Sequence, residues 1–222
     1  MYLCSKLMKF VYPYISSAFD FDIKQSIRYA SLFFKDAEFY TIGDKIPEAK
    51  NIPCQKFNNI RGCDVTNKIL TFAKKIGGDF IYMNDDFYVN DKYNFNHPIC
   101  KGYLNVNPIH PPHYQTASKN TIEFLKYNNY KTLNFETHSP IVINSDKLIK
   151  LFDSINWTED NHFIKSLYLN VYPPDDFISG DNVKIKEPNF LKAQEFLYKY
   201  GCLSTGDGFM TTDGALFIKK LS

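Results

Sequence analysis

Asp79-Phe80-Ile81-Tyr82-Met83, followed without a break by Asn84-Asp85-Asp86, is the stretch on which the fold turns. A short continuous apolar run bounded by turn-forming residues reads as a strand buried on both faces. Gly77-Gly78 ahead of it stops a preceding helix, and the three polar residues behind it end the strand. Adjacent carboxylates at such a strand end repel one another and lose hydration. A cation or hydrogen-bond donors must then neutralise them, and hard oxygen ligands suit Mg²⁺ or Mn²⁺. On local sequence alone, a solvated turn of Asn and Asp explains the triplet equally well.

The elements on either side of the triplet decide between the two. Lys9 to Pro13 reads as a first buried strand, Asp20 to Phe34 as an amphipathic helix carrying Ile23, Ile27, Ala30 and Phe34, and Glu38 to Ile42 as a second strand stopped by Gly43-Asp44. Ile52 to Phe57 reads as a short third strand, and Asp64 to Lys75 as a helix with Val65, Ile69 and Phe72 on one face. This β-α-β-α-β order predicts an α/β fold with an open, mostly parallel, Rossmann-like sheet and helices on both faces. Ligands on such sheets sit beyond the carboxyl ends of the strands. Pro13, Asp44 and Asn84-Asp85-Asp86 all fall at those ends, which favours a ligand site over a plain turn.

Beyond the motif the pattern loosens. Phe95 to Gln115 reads as a loop holding His97, His110, His113 and the prolines Pro98, Pro108, Pro111 and Pro112. A loop of that length in a compact domain usually binds or covers a ligand. Helices are expected at Ser118 to Tyr127, Asp146 to Phe152 and Asn161 to Leu169, with a strand through Ile141 to Ile143. After the Pro173-Pro174 break, short elements follow at Val183 to Ile185, Phe190 to Tyr198 and Ala215 to Lys220. Cys202 to Phe209 reads as a flexible Gly-containing loop.

Length and composition bound the rest. The 222 residues fit one domain, and 44% apolar with 23% charged residues excludes a disordered or fibrous chain. Sixteen Tyr and twenty Phe accompany one Trp, but Lys, Asn and Ile are also abundant and Arg occurs only as Arg28 and Arg61. The aromatic surplus is therefore partly a compositional habit. A net charge of +2 gives no strong field toward nucleic acid or anionic membrane. Five Cys without a close pair suit reduced thiols better than disulfides or zinc. Met1 to Phe10 lacks the apolar stretch of a signal peptide, and no run approaches a membrane span; a cytoplasmic protein is expected.

At the acidic motif the chain resembles the GT-A glycosyltransferases, which carry a short acidic signature after a buried strand. The NDD form here is similar to bacterial and phage members and to Stealth-type capsular-polysaccharide phosphotransferases. Ser26-Ile27-Arg28-Tyr29-Ala30-Ser31-Leu32, Ile42-Gly43-Asp44-Lys45-Ile46-Pro47 and Asp64-Val65-Thr66-Asn67-Lys68-Ile69-Leu70 extend the likeness upstream in the order such enzymes use. The resemblance implies a GT-A fold and a nucleotide-sugar donor, UDP-sugar foremost, bound with Mn²⁺ or Mg²⁺. It implies residues 1–92 as the donor-binding half and 93–222 as the acceptor-binding, catalytic and less regular half. Asn84 departs from the first Asp of the signature. That leaves Asp86 as the direct metal ligand and Asp85 as a ligand or sugar contact. Pro13, Tyr14, Asp44, Arg61, Asn67, Lys68, Asn84 and Asp85 form the implied donor set. Arg61 suits a diphosphate because a guanidinium meets phosphate oxygens in a bidentate way. For Lys68 an exposed helix cation is the plainer reading, and for Gly43-Asp44 a simple turn serves as well.

Two further segments carry chemistry. In Glu136-Thr137-His138-Ser139-Pro140, His138 could complete a metal sphere or hold an acceptor hydroxyl, as the Stealth-like His-x-Pro segment implies. Trp157-Thr158-Glu159-Asp160-Asn161-His162 resembles the Trp-plus-acidic-pair motif of inverting GT-A enzymes. That likeness implies Asp160 as the base, with Glu159 as a competitor and His162 as a competing base or a second metal-side ligand. Physically, Asp160 is expected to cap a helix beginning near Asn161. No P-loop spacing and no Gly-x-Gly-x-x-Gly follows the first strand. The acceptor, whether glycan, protein, small molecule or modified DNA base, and the oligomeric state are not legible. The near-neutral charge speaks against duplex DNA. A sugar-phosphate transferase and a non-catalytic nucleotide-sugar or glycan-binding module are the competing functions.

Overall fold

A computed structural model describes residues 7–16, 20–210 and 212–221. Most of the leader expectation on Met1 to Phe10, and the thiol of Cys4, fall outside the described residues. In chain order the elements are β1 (Lys9–Tyr14), α1 (Phe21–Phe33), β2 (Glu38–Gly43), β3 (Lys50–Ile52), α2 (Arg61–Lys75), β4 (Asp79–Tyr82), β5 (Phe87–Val89), β6 (Ile99–Cys100) and α3 (Pro112–Tyr127). They continue as β7 (Ile141–Asn144), α4 (Ser145–Phe152), α5 (Ile164–Val171), β8 (Ile178–Ser179), β9 (Lys184–Ile185), α6 (Phe190–Lys199), β10 (Cys202–Thr205) and α7 (Thr212–Leu221).

The central sheet has five strands in the order β3-β2-β1-β4-β7. All neighbours pair in parallel except β7, which runs antiparallel to β4 with Asp79 opposite Asn144. Successive side chains of a strand point to opposite faces, and the sequence fills both with apolar groups. Phe10, Tyr12, Ile81 and Met83 join Ile23, Ile27 and Ala30 of α1 in one core. Val11, Phe80 and Tyr82 join Ile69, Phe72 and Ala73 of α2, together with Leu148 and Leu151 of α4, in the other. The mostly parallel α/β sheet with helices on both faces is therefore the observed architecture.

Several boundaries differ from expectation for identifiable reasons. The third strand lies at Lys50–Ile52, since Tyr40, Thr41 and Ile42 of β2 take Lys50, Asn51 and Ile52 as partners. Helix α2 begins at Arg61, a turn before Asp64, because Asp64 turns its carboxylate inward to accept from the Phe57 N–H at 2.8 Å. The expected Phe95–Gln115 loop is interrupted by β6 and by the start of α3 at Pro112. Proline in a first helical turn sacrifices no intrahelical bond, so Pro111-Pro112 opens a helix. Cys202–Thr205 is a strand, not a flexible loop. It forms the buried middle of a second sheet, β5-β10-β9, antiparallel to β5 and parallel to β9.

A two-stranded sheet, β6-β8, completes the pairing. Cys54, Cys63, Cys100 and Cys202 are free thiols. No helix among the described residues is long and apolar enough to cross a membrane.

Candidate functional site

The carboxyl ends of β1, β2 and β4 meet at one edge of the central sheet. There β2 must turn closely past β1. Gly43 has φ +117°, and a Cβ on it would lie 2.3 Å from the Tyr14 carbonyl and 3.0 Å from Lys68 Cε. Only glycine fits. Beside this crossing opens a cavity of about 330 Å³ lined by Pro13, Arg61, Asp64, Lys68, Asn84 and Asp85, among others.

Two cations of this cavity, Arg61 and Lys68, come from α2, and a third, Lys56, from the loop before it. Lys68 is only 2% exposed and its ammonium donates to Asp64 Oδ2 at 2.8 Å. The exposed-cation expectation for Lys68 is thus overturned: a buried lysine must be paired, and Asp64 one turn earlier pairs it. Arg61, on the first turn, remains exposed to the cavity. Of the other residues implied for the donor, Asn67 donates to Cys54 Sγ at 3.3 Å and does not line the cavity. Tyr14 is buried and its hydroxyl donates to Asp20. Asp44 does not line the cavity either; its Oδ2 accepts the Ser16 N–H at 2.6 Å, tying the loop after β1 to the end of β2.

The two aspartates of the motif part company. Asp85 faces the cavity, where its carboxyl is raised above the ordinary range by desolvation and then by Asp86, with Arg61 and Lys184 opposing. Asp86 turns toward the second sheet. Its Oδ2 accepts from Lys184 Nζ and Ser204 Oγ, each at 2.9 Å, and its carbonyl accepts the Thr205 N–H at 3.1 Å. Asp86 Oδ1 is buried without a partner among the described residues.

His138 adopts a left-handed backbone, φ 54°, and its buried Nδ1 has no hydrogen-bond partner among the described residues. Burial, then Lys165 and Lys184, push its pKa down to about 3, with Asn182 opposing. It is therefore a neutral imidazole at physiological pH. Fully buried Lys165 donates to the Ser139 carbonyl at 3.2 Å, and desolvation lowers its pKa. Among the described residues no three His, Cys, Asp or Glu side chains converge in a group that could hold a metal ion.

Asp160 caps no helix. Residues 156–160 form a turn in which the Asp160 N–H donates to the Asn156 carbonyl at 2.9 Å, and α5 starts only at Ile164 with Phe163 as its cap. Both Glu159 and Asp160 are exposed. The segment nevertheless lies against the start of α2. Trp157 packs on Phe57 with ring centroids 5.1 Å apart, Asn58 Nδ2 donates to the Thr158 carbonyl at 3.3 Å, and the Asp160 charge reaches Cys63. His162 is buried; desolvation lowers its pKa, and Asp160 opposes the shift. His97 contacts Asn94 at 3.2 Å, while His110 and His113 flank Tyr114.

Residues not singled out from sequence complete the neighbourhood: Asp22 on α1, Tyr88 on β5, Lys184 on β9, and Ser204 and Thr205 on β10. Asp22 alone stood within reach of sequence reasoning, as an acid in a first helical turn. The others meet Asp86 only through strand pairing.

No protein-family model matches the chain, and comparison with curated proteins found no match. Solved structures do match. The galactosyltransferase LgtC in complex with donor and acceptor sugar analogs is 13% identical, with a TM-score of 0.53 over 96% of this chain and 95% of that one. An active-site mutant of LgtC gives 12% and 0.52 over the same shares. A glycosyltransferase involved in the glycosylation of the major capsid of PBCV-1 is 12% identical, with a TM-score of 0.44 over 97% of this chain and 98% of that one. At these identities the likeness to LgtC establishes the fold: a Rossmann-like, GT-A-type α/β architecture.

Proposed function

We propose that this chain is a metal-dependent glycosyltransferase, moving a sugar from a nucleoside-diphosphate sugar to an acceptor hydroxyl. The observation that carries the reading is the cavity at the strand ends, where Arg61, Lys68, Asn84 and Asp85 line one wall-to-wall space on a GT-A-type sheet. Open α/β sheets bind ligands at that edge, and cations facing a carboxylate suit a diphosphate held with a divalent ion.

The residues fit such an ion in the manner of phosphate-linked metals, which take one or two carboxylates from the protein and complete their sphere with phosphate and water. Asp86 has an unpartnered buried oxygen and Asp85 a carboxyl under repulsion, so both gain from a cation. Mn²⁺ or Mg²⁺ held there would neutralise the charge that grows on the leaving diphosphate. Arg61 grips phosphate oxygens in a bidentate way, and Lys68, fixed by Asp64, adds a stationary positive charge. Asp160, exposed on the segment that abuts the start of α2, takes the proton from the acceptor hydroxyl.

Sugar-phosphate transfer is the second reading. It would use the same strand-end cavity, with attack at phosphorus in place of carbon. The products separate the two: glycosyl transfer releases a nucleoside diphosphate, sugar-phosphate transfer a monophosphate. A screen of nucleotide sugars for Mn²⁺-dependent transfer or hydrolysis, with UDP-sugars first, tests both. Binding without turnover across acceptors of glycan, small-molecule and modified-base type would instead identify a binding module.

A further inference from the structure

We propose that Asp22, in the first turn of α1, is a ligand of the divalent cation together with Asp86, and that the hydroxyls of Tyr88 and Thr205 supply neutral oxygens to the same ion. The inference rests on the functional reading above only for the role of Asp86. Asp22, Tyr88 and Thr205 belong to none of the motifs through which that reading was reached.

Asp22 Oδ1, Asp86 Oδ1, Tyr88 Oη and Thr205 Oγ1 are all buried without a hydrogen-bond partner among the described residues. Tyr88 is 0% and Thr205 2% exposed, so bulk solvent does not reach these hydroxyls. Buried polar atoms in folded proteins are nearly always partnered, and orphans grouped in one place point to a missing ligand. Grouped they are. Asp86 and Tyr88 stand two residues apart on one side of β5, and the Thr205 N–H donates to the Asp86 carbonyl at 3.1 Å, which sets Thr205 across from them, its hydroxyl toward that of Tyr88. Helix α1, which carries Asp22, packs on the same strand through Tyr29, 6.2 Å from the Tyr88 ring, and through Ser26, which donates to the Phe87 carbonyl.

The size and chemistry of the missing partner follow. The four atoms are closed to solvent, which excludes a sugar ring. All are hard oxygens, the donor set of Mg²⁺ and Mn²⁺. Lys184 already occupies Asp86 Oδ2, and one ammonium cannot balance two carboxylates. A divalent ion between Asp22 and Asp86 balances both, which a second hydrogen-bond donor would not.

The test is titration of Mn²⁺ into the nucleotide-free full chain, read by loss of the free-ion electron paramagnetic resonance signal. Wild type is expected to bind Mn²⁺, and Asp22→Asn to weaken it at least tenfold. Asp207→Asn, which alters the local field from an exposed position outside the donor set, is expected to leave affinity within twofold. Thermal unfolding of metal-free Asp22→Asn, expected to be no lower than wild type, confirms that the variant folds. Less than tenfold weakening in Asp22→Asn, or equal weakening in Asp207→Asn, would overturn the inference. Mn²⁺ binding by wild type only when uridine diphosphate is added would also overturn it while leaving the proposed function standing. No Mn²⁺ binding with or without any nucleoside diphosphate would remove the metal from both.

Discussion

Lys184 on β9 and Asp86 at the head of β5, 98 positions apart, meet at 2.9 Å in a partly buried ion pair. The charge that a metal-binding motif leaves uncompensated is thus partly answered from within the chain. Lys184→Met should strand the Asp86 carboxylate and lower stability by about 1–3 kcal/mol, the usual cost of an unpaired buried polar group. Urea unfolding measures it, and adding Asp86→Asn to the same chain should recover most of the loss. An unchanged midpoint in Lys184→Met would show that the pair contributes nothing.

Arg61 is expected to carry phosphate recognition. Arg61→Ala should weaken binding of a nucleoside diphosphate by tenfold or more in calorimetry, and Arg61→Lys should restore only part of it, since an ammonium lacks the planar fork. Full rescue by lysine would assign Arg61 a simple charge effect.

Asp22 predicts the acid side of the stability profile in chelator-treated protein. Desolvation, then Asp85, Asp86 and Asp207, against the opposing Lys184, raise its pKa from 3.8 to about 6. The folded state therefore holds this proton more firmly than the unfolded chain does. Its contribution is complete below about 3.8 and is lost as pH rises through about 6. Wild type should lose stability across that window relative to Asp22→Asn, as read by thermal unfolding at stepped pH. Parallel profiles would contradict the burial of an ionising Asp22.

Asp160 separates chemistry from structure more cleanly than a capping residue could. Being exposed and capping nothing, Asp160→Asn should change stability by no more than about 0.5 kcal/mol. Turnover should nonetheless fall by roughly two orders of magnitude or more if Asp160 is the base. Near wild-type turnover with both substrates bound would move the role to Glu159 or His138.

Gly62 is a test of how the start of α2 is held. A Cβ there would lie 1.6 Å from Asn161 Oδ1. Gly62→Ala should therefore push the Asn161 amide aside and break its bond to the His113 carbonyl beside the start of α2, destabilising the fold by about 1–3 kcal/mol. Weakened nucleoside-diphosphate binding should accompany it, and Asn161→Ala in the same chain should relieve both.

The parallel sheet was legible because β1 and β4 are apolar on both faces, and alternating strands and amphipathic helices leave few topologies. The strand-end position of Asp85 followed from the same pattern. The orientation of Asp86 did not, because its partners Lys184 and Ser204 sit on strands of two and four residues whose pairing is purely tertiary. The burial of Lys68 is not legible, because sequence spacing shows that Asp64 lies one turn away, but not that both face inward. The Asp160 cap failed for a related reason. Asn120 Nδ2 donates to the Asn161 carbonyl at 3.1 Å and Thr121 Oγ1 accepts the Phe163 N–H at 2.9 Å, holding residues 161–163 extended and delaying the helix.

The pairing of β5 with β10 has a consequence for the order of synthesis. The hydroxyl of Ser204 that steadies Asp86 lies 118 positions downstream of it. A nascent chain that has released its acidic motif from the ribosome must therefore wait for those further residues before Ser204 reaches Asp86 and β5 finds its neighbour. Contacts of such separation form late, after loop closure has been offset by earlier packing. The central sheet can close once β7 has emerged, but the acidic centre at Asp86 becomes whole only when β10 arrives.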